Sequence, residues 1–202
     1  MCSTRDKKMY EIAPVSYGVL ILIGAVNLIT IAFAPEIVYI FAPAGYGGAV
    51  RCIPPIAMSA YFMFCYVLFS KISFYYGDTG QIAAATAAAA VLNLILNYLF
   101  IPVFGYTAAA YTTLLCFMLY AVFHYIVMRR VCRRELKGEY PFDTIRLLQI
   151  TLAFMGTGFL YLSLYGHILL RYCLTLALMV ILFSNRKKLA GYIREISAQH
   201  DR

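Results

Sequence analysis

The clearest polar signal inside an apolar run is Asn93 with Asn97, four residues apart and flanked by Leu92, Leu94, Ile95 and Leu96. At that spacing two side chains share one helix face. An amide facing hydrocarbon is unfavourable, so the face is expected to meet other helices, where amides bridge, or a ligand-bearing cavity. Arg51 and Lys71 bracket a second apolar run. Either they snorkel to the two membrane interfaces, or they face an internal cavity and attract an anionic headgroup, for which a guanidinium is well suited. Asn93, Asn97, Arg51 and Lys71 are therefore the candidate substrate-facing residues.

Hardware for making or breaking bonds is missing, and the chain is not expected to be an enzyme. His124, His167 and His200 form no close ligand set with Cys, Asp or Glu, so no metal is expected. The 6 cysteines show no CxxC spacing. Cys65, Cys116 and Cys173 fall in apolar runs, where a thiol behaves as a small apolar group. The glycines of 44–48 lack the Gly-Lys-Ser/Thr of a phosphate-binding loop, and no cofactor is expected. All 9 acids lie outside the apolar runs. Ion-coupled carriers bury a carboxylate at mid-membrane, and this chain offers none.

The elements that must position these residues follow from composition. Hydrophobic residues make up 63% of the 202 residues and charged residues 13%. A soluble domain of this size has too little interior to hide so much apolar surface. The fold class expected is all-α, a polytopic membrane protein, because each crossing helix needs about 20 apolar residues and such runs recur. They are Val15 to Ala34, closed by Pro35; Cys52 to Ser70; Gln81 to Ile101, ended by Pro102; and Thr107 to Met128, ended by Arg129 and Arg130. The block from Leu148 to Phe183 would reach about 54 Å as one helix against a core of about 30 Å. It is expected to fold back near Gly166, His167 and Arg171, which makes six spans. A barrel would show short alternating segments instead.

Of the 17 Lys and Arg residues, all but Arg51 and Arg171 fall in loops on one side of such a six-span path. That asymmetry places both termini in the cytoplasm. It also accounts for the net charge of +8 without a nucleic-acid partner. The organisation expected is a cytoplasmic segment over 1–14, a four-helix block over 15–128, a basic cytoplasmic loop over 129–147, a two-helix hairpin over 148–183 and a cytoplasmic tail over 184–202. The apolar stretch after Pro35 is expected to lie in the interface as a short helix. The alanines of 83–90 allow close backbone approach, so the third span is expected at the centre of the bundle. His124 is expected to be packed or interfacial. With 18 Tyr and no Trp, Tyr17, Tyr39, Tyr46, Tyr75 and Tyr76 suit headgroup level. Tyr61, Tyr66, Tyr111 and Tyr120 fall deeper and need hydrogen-bond partners or an aqueous cavity.

The segment from Val91 to Thr113, with Asn93, Asn97, Ile101-Pro102, Gly105 and Ala109-Ala110 in the order N-x-x-x-N-x-x-x-I-P-x-x-G-x-x-x-A-A, resembles bacterial polysaccharide-export flippases of the MATE-like superfamily. Ala34-Pro35-Glu36-Ile37, Tyr46, Ala49-Val50 and the stretch from Ser70-Lys71 to Tyr76 look like the same family. The resemblance runs from about residue 10 to 130 and is most specific in the middle. It implies movement of an undecaprenyl-pyrophosphate-linked oligosaccharide, an O-antigen-type precursor, across the bacterial cytoplasmic (inner) membrane by alternating access between two lobes. Membrane lipid would be the second contact. The chain corresponds to the C-terminal lobe, so a second lobe is expected, either another copy or a separate N-terminal half. An even number of spans gives each copy the same orientation, which suits a parallel pair. Pro35, Pro102 and Gly105 carry over as structural motif positions. The alternatives are a cation-coupled multidrug efflux component of the same superfamily and a non-transporting membrane fragment or interaction partner.

Overall fold

A computed structural model describes residues 4–43, 45–77, 79–136, 138–185 and 191, with side chains from Pro14 onward. The described residues form seven α-helices and two short 3-10 turns, without strands. They are α1 (Thr4–Ala32), α2 (Ala34–Phe41), α3 (Ile53–Tyr75), α4 (Thr79–Phe104), α5 (Thr107–Glu135), α6 (Thr144–Ser163) and α7 (Ile168–Ser184). Five helical segments are long and apolar enough to cross a membrane, and the helix Ile168–Ser184 is a shorter apolar one. At 17 residues α7 reaches about 26 Å, a little under the hydrocarbon thickness. The tail expected beyond Asn185 lies outside the described residues except for Gly191, as do Lys137 and the side chains of Arg5, Lys7 and Lys8.

Helix ends depart from the sequence reading at Pro102 and at Arg129 and Arg130. Pro102 does not end the third span: α4 runs through it to Phe104. Proline removes one backbone donor and clashes with the carbonyl four residues back, a cost a helix tolerates near its end. Termination falls to Gly105, whose φ of +74° is left-handed and whose N–H donates to the Ile101 carbonyl at 2.8 Å. Arg129 and Arg130 do not end α5 either, which continues to Glu135. Cations favour the C-terminal turns of a helix rather than breaking them. The segment over 1–14 is helical from Thr4 and continuous with the first span. Pro35 sits in the first turn of α2 and Pro54 follows Ile53 at the start of α3, where a missing N–H costs nothing. α2 exposes Tyr39, Ile40 and Phe41, as a short helix in the interface would.

The helices pack as two units. The first unit takes Met1–Ala32 and Pro141–Arg202, so α1 packs with α6 and α7. The second unit is Phe33–Tyr140. Chain order alone divides the molecule at the basic loop after α5, whereas the packing leaves α1 with the last two spans.

In the first unit the apolar part of α1, Pro14–Ala32, is tied down near both its ends. Asp143 caps α6, its carboxylate accepting from the Ile145 N–H at 2.9 Å, a cap worth about 1 kcal/mol. The Asp143 N–H donates to the Tyr17 hydroxyl at 2.6 Å, and Tyr17 meets Phe142 edge to face at 6.2 Å. At the other end the Tyr165 hydroxyl donates to the Ile31 carbonyl at 2.8 Å, one of the carbonyls that a helix end leaves without a partner. The reversal falls at Leu164–Gly166, beside Gly166 and His167 as expected. Arg171 does not mark that turn. It lies inside α7 at 2% exposure, with Tyr172 and Tyr165 ring centroids 5.2 and 5.9 Å from its guanidinium carbon.

In the second unit α3 and α5 form the tightest pair. Met58, Tyr61, Cys65, Phe69 and Ile72 recur at helical spacing on α3 and are buried, as are Leu114, Ala121, His124, Met128 and Val131 on α5. Within this unit the third span, α4, is not central: Ala85 is its one buried residue. Small residues permit close approach but do not enforce it.

Candidate functional site

Five polar side chains of the second unit, Tyr66, Thr86, Asn93, Thr113 and Tyr120, line one groove. Thr86, Asn93 and Asn97 fall seven and four residues apart on α4, so they line one stripe of the helix. Thr113, Cys116 and Tyr120 supply the matching edge of α5, and Tyr66 closes the groove from α3. The cavity measures about 470 Å³, within the roughly 300–1,000 Å³ of small-molecule sites. Ala89 and Ala90 form its α4 wall, where the absence of bulk leaves the space open. No charged side chain is among its lining residues.

Hydrogen bonding within the stripe is directional. The Thr86 hydroxyl donates to the Ile82 carbonyl at 2.9 Å and lies 2.6 Å from the Tyr120 hydroxyl. A hydroxyl has one proton, so Tyr120 donates to Thr86 and bridges α5 to α4. One rung along, Asn97 Nδ2 donates to Asn93 Oδ1 at 2.9 Å, and the Thr112 hydroxyl reaches Asn97 Oδ1 at 2.5 Å. Among the described residues no acceptor takes the Nδ2 hydrogens of Asn93, which lines the groove. The tyrosine rings form a wall: Tyr66 and Tyr120 centroids are 4.4 Å apart. Beneath them His124 is fully buried, 4.5 Å from the Tyr120 centroid and 5.6 Å from that of Tyr66. Neither of its ring nitrogens has a hydrogen-bond partner among the described residues.

The structure brings Asn93 and Asn97 together and leaves Arg51 and Lys71 apart from them. Arg51 ends the 3-10 turn Gly47–Arg51, Lys71 lies in the last turns of α3, and both are exposed. They are about 30 Å apart along the helix direction, and neither lines the groove. Of the motif positions, Pro35 starts α2 and Gly105 makes the α4–α5 turn. Tyr66 and Tyr120 were legible as tyrosines too deep for headgroup level. Thr86 was not singled out, although it is the lone hydroxyl among the alanines of 83–90 and stands seven residues before Asn93. A second cleft of about 430 Å³ lies further along the same hairpin, lined by Phe100, Phe104, Tyr111 and Leu115 among others, and is mostly apolar.

No protein-family model matches the chain, and no curated protein or solved structure matches it either.

Proposed function

We propose that the chain is one lobe of a membrane transporter that flips a lipid-linked oligosaccharide, with the sugar passing along the α3–α4–α5 groove and the lipid tail left in the bilayer. The observation that carries this reading is the polar part of the groove's lining: one amide, two threonine hydroxyls and two tyrosines, with no charge, set among Ala89, Ala90, Cys116 and Phe117. A sugar presents hydroxyls at its edge and C–H groups on its faces. Asn93, Thr86 and Thr113 match the first and the Tyr66 and Tyr120 rings the second. No carboxylate lines the groove, which weighs against cation-coupled efflux. In this reading six helices cross the bacterial cytoplasmic membrane with both termini inside, and α7 is the sixth. The partner is a second lobe, a copy of the chain or a separate half, and the cargo is carried on undecaprenyl pyrophosphate.

Reconstitution tests the reading. Vesicles holding the chain and a fluorescent undecaprenyl-pyrophosphate-linked sugar are followed by quencher access to the outer leaflet. Crosslinking through single cysteines near Asn93, in a cysteine-depleted background, reports the second lobe. Flipping above protein-free vesicles, lost in Asn93→Leu, supports the proposal. Wild-type flipping and wild-type surface glycan in the Asn93→Leu, Asn97→Leu double variant would sink the role of this face.

A further inference from the structure

A second built feature lies at the C-terminal end of α5 and stands independently of the transport reading. Tyr125, Arg129 and Arg133 fall four residues apart, on one face of the helix. After Glu135 the chain turns back. Leu136 and Gly138 both donate to the Cys132 carbonyl, at 2.8 and 3.4 Å, and Glu139 donates to the Leu136 carbonyl at 3.0 Å. Gly138 sits at φ +88°, a conformation that side-chain-bearing residues resist. This reversal returns Tyr140 to the helix, where its ring centroid lies 4.2 Å from the Arg129 guanidinium carbon; Tyr125 lies on the same guanidinium at 6.0 Å. Hydrogen bonds from Arg129 and then Arg133 hold the Tyr140 phenol below its ordinary value. Arg134 pairs with Glu135 at 2.7 Å; among the described residues no carboxylate pairs with Arg129 or Arg133.

We propose that Arg129, held by the Tyr140 and Tyr125 rings, together with Arg133 and the Tyr140 hydroxyl, binds a phosphate-bearing anion at the end of α5. Stacking orients a guanidinium edge-outward, so its N–H fork is presented in advance to a tetrahedral oxyanion. The helix end itself carries about half a negative charge, which opposes an anion; two unneutralised guanidiniums on the same face outweigh it. An arginine cluster that served only to set orientation would need neither the glycine reversal nor the tyrosine stack.

The test uses the purified full chain and native mass spectrometry, titrating phosphatidylglycerol, phosphatidylcholine and inorganic pyrophosphate. Arg129→Gln with Arg133→Gln is expected to weaken phosphatidylglycerol binding about tenfold or more, the loss of two charge-assisted contacts. Arg130→Gln with Arg134→Gln removes the same charge from the neighbouring face and is expected to stay within about twofold. Arg129→Lys keeps the charge but not the fork or the stack, and is expected to fall with the first pair. Circular dichroism confirms equal helix content across the set. Pyrophosphate that displaces the lipid puts free phosphate among the ligands; binding of the lipid but not of pyrophosphate restricts the site to a headgroup. Equal weakening by the two pairs, or full binding in Arg129→Gln with Arg133→Gln, would overturn the proposal.

Discussion

α4 and α5 are neighbours in the chain, joined by one glycine turn, and both open on small residues, yet they are covered very differently. α5 buries residues from Ala108 to Cys132 along its length; α4 buries Ala85. Both helices are apolar enough to span a membrane. The difference therefore does not reflect hydropathy. α5 has α3 on one side and α4 on the other, whereas α4 has the α5 edge and little else. Between Ile82 and Asn97 the polar side chains of α4 are Thr86, Asn93 and Asn97, and all three turn toward α5. The outer face carries Val91, Leu94 and Tyr98, all exposed, a surface suited to lipid.

That comparison is broken most sharply by truncating a leucine on each helix. Leu114→Ala on α5 is expected to cost about 2–5 kcal/mol through the cavity it leaves, while Leu94→Ala on α4 should stay within about 0.5 kcal/mol. Thermal unfolding in detergent measures both, and equal losses would mean that α4 is covered. Overpacking comes next. Ala110→Leu at 5% exposure is expected to cost about 1–3 kcal/mol, and Ala87→Leu on the open face almost nothing. The amide pair should separate stability from activity. Asn93→Leu with Asn97→Leu is expected to lower stability by about 1 kcal/mol, the scale of an interhelical hydrogen bond in a membrane, but to abolish flipping in the vesicle assay. A fall in abundance equal to the fall in transport would mark the pair as helix–helix glue. The smallest effect on transport is expected for Tyr120→Phe. It removes the one proton bridging to Thr86, a stability loss of about 0.5–1.5 kcal/mol at most, while retaining the ring that faces the groove. Sugar-dependent flipping should survive it in part, and complete loss would put the hydroxyl rather than the ring in contact with the cargo.

Some features were readable in the sequence. The reversal near Gly166 and His167 follows from the length of an apolar block too long to cross once. Asn93 and Asn97 on one face follow from helical spacing. The extension of α4 through Pro102 and of α5 through Arg129–Arg134 was not readable, because a proline or a charge near a helix end is compatible with either outcome. Arg171 looked like a turn marker and is buried among tyrosines, since its surroundings come from residues distant in the chain. The open position of α4 was concealed for the same reason.

Run length and composition determined that the chain is helical and where most helices lie, because a bilayer of fixed thickness demands long apolar segments whose backbone groups are satisfied internally. Tertiary structure alone decided that α1 packs with α6 and α7, that one face of α5 is covered while α4 is open, and that Tyr140 folds back onto Arg129. Lipid and protein interior are equally apolar. A hydropathy pattern therefore cannot distinguish a face covered by a helix from one covered by lipid, and only the packing does.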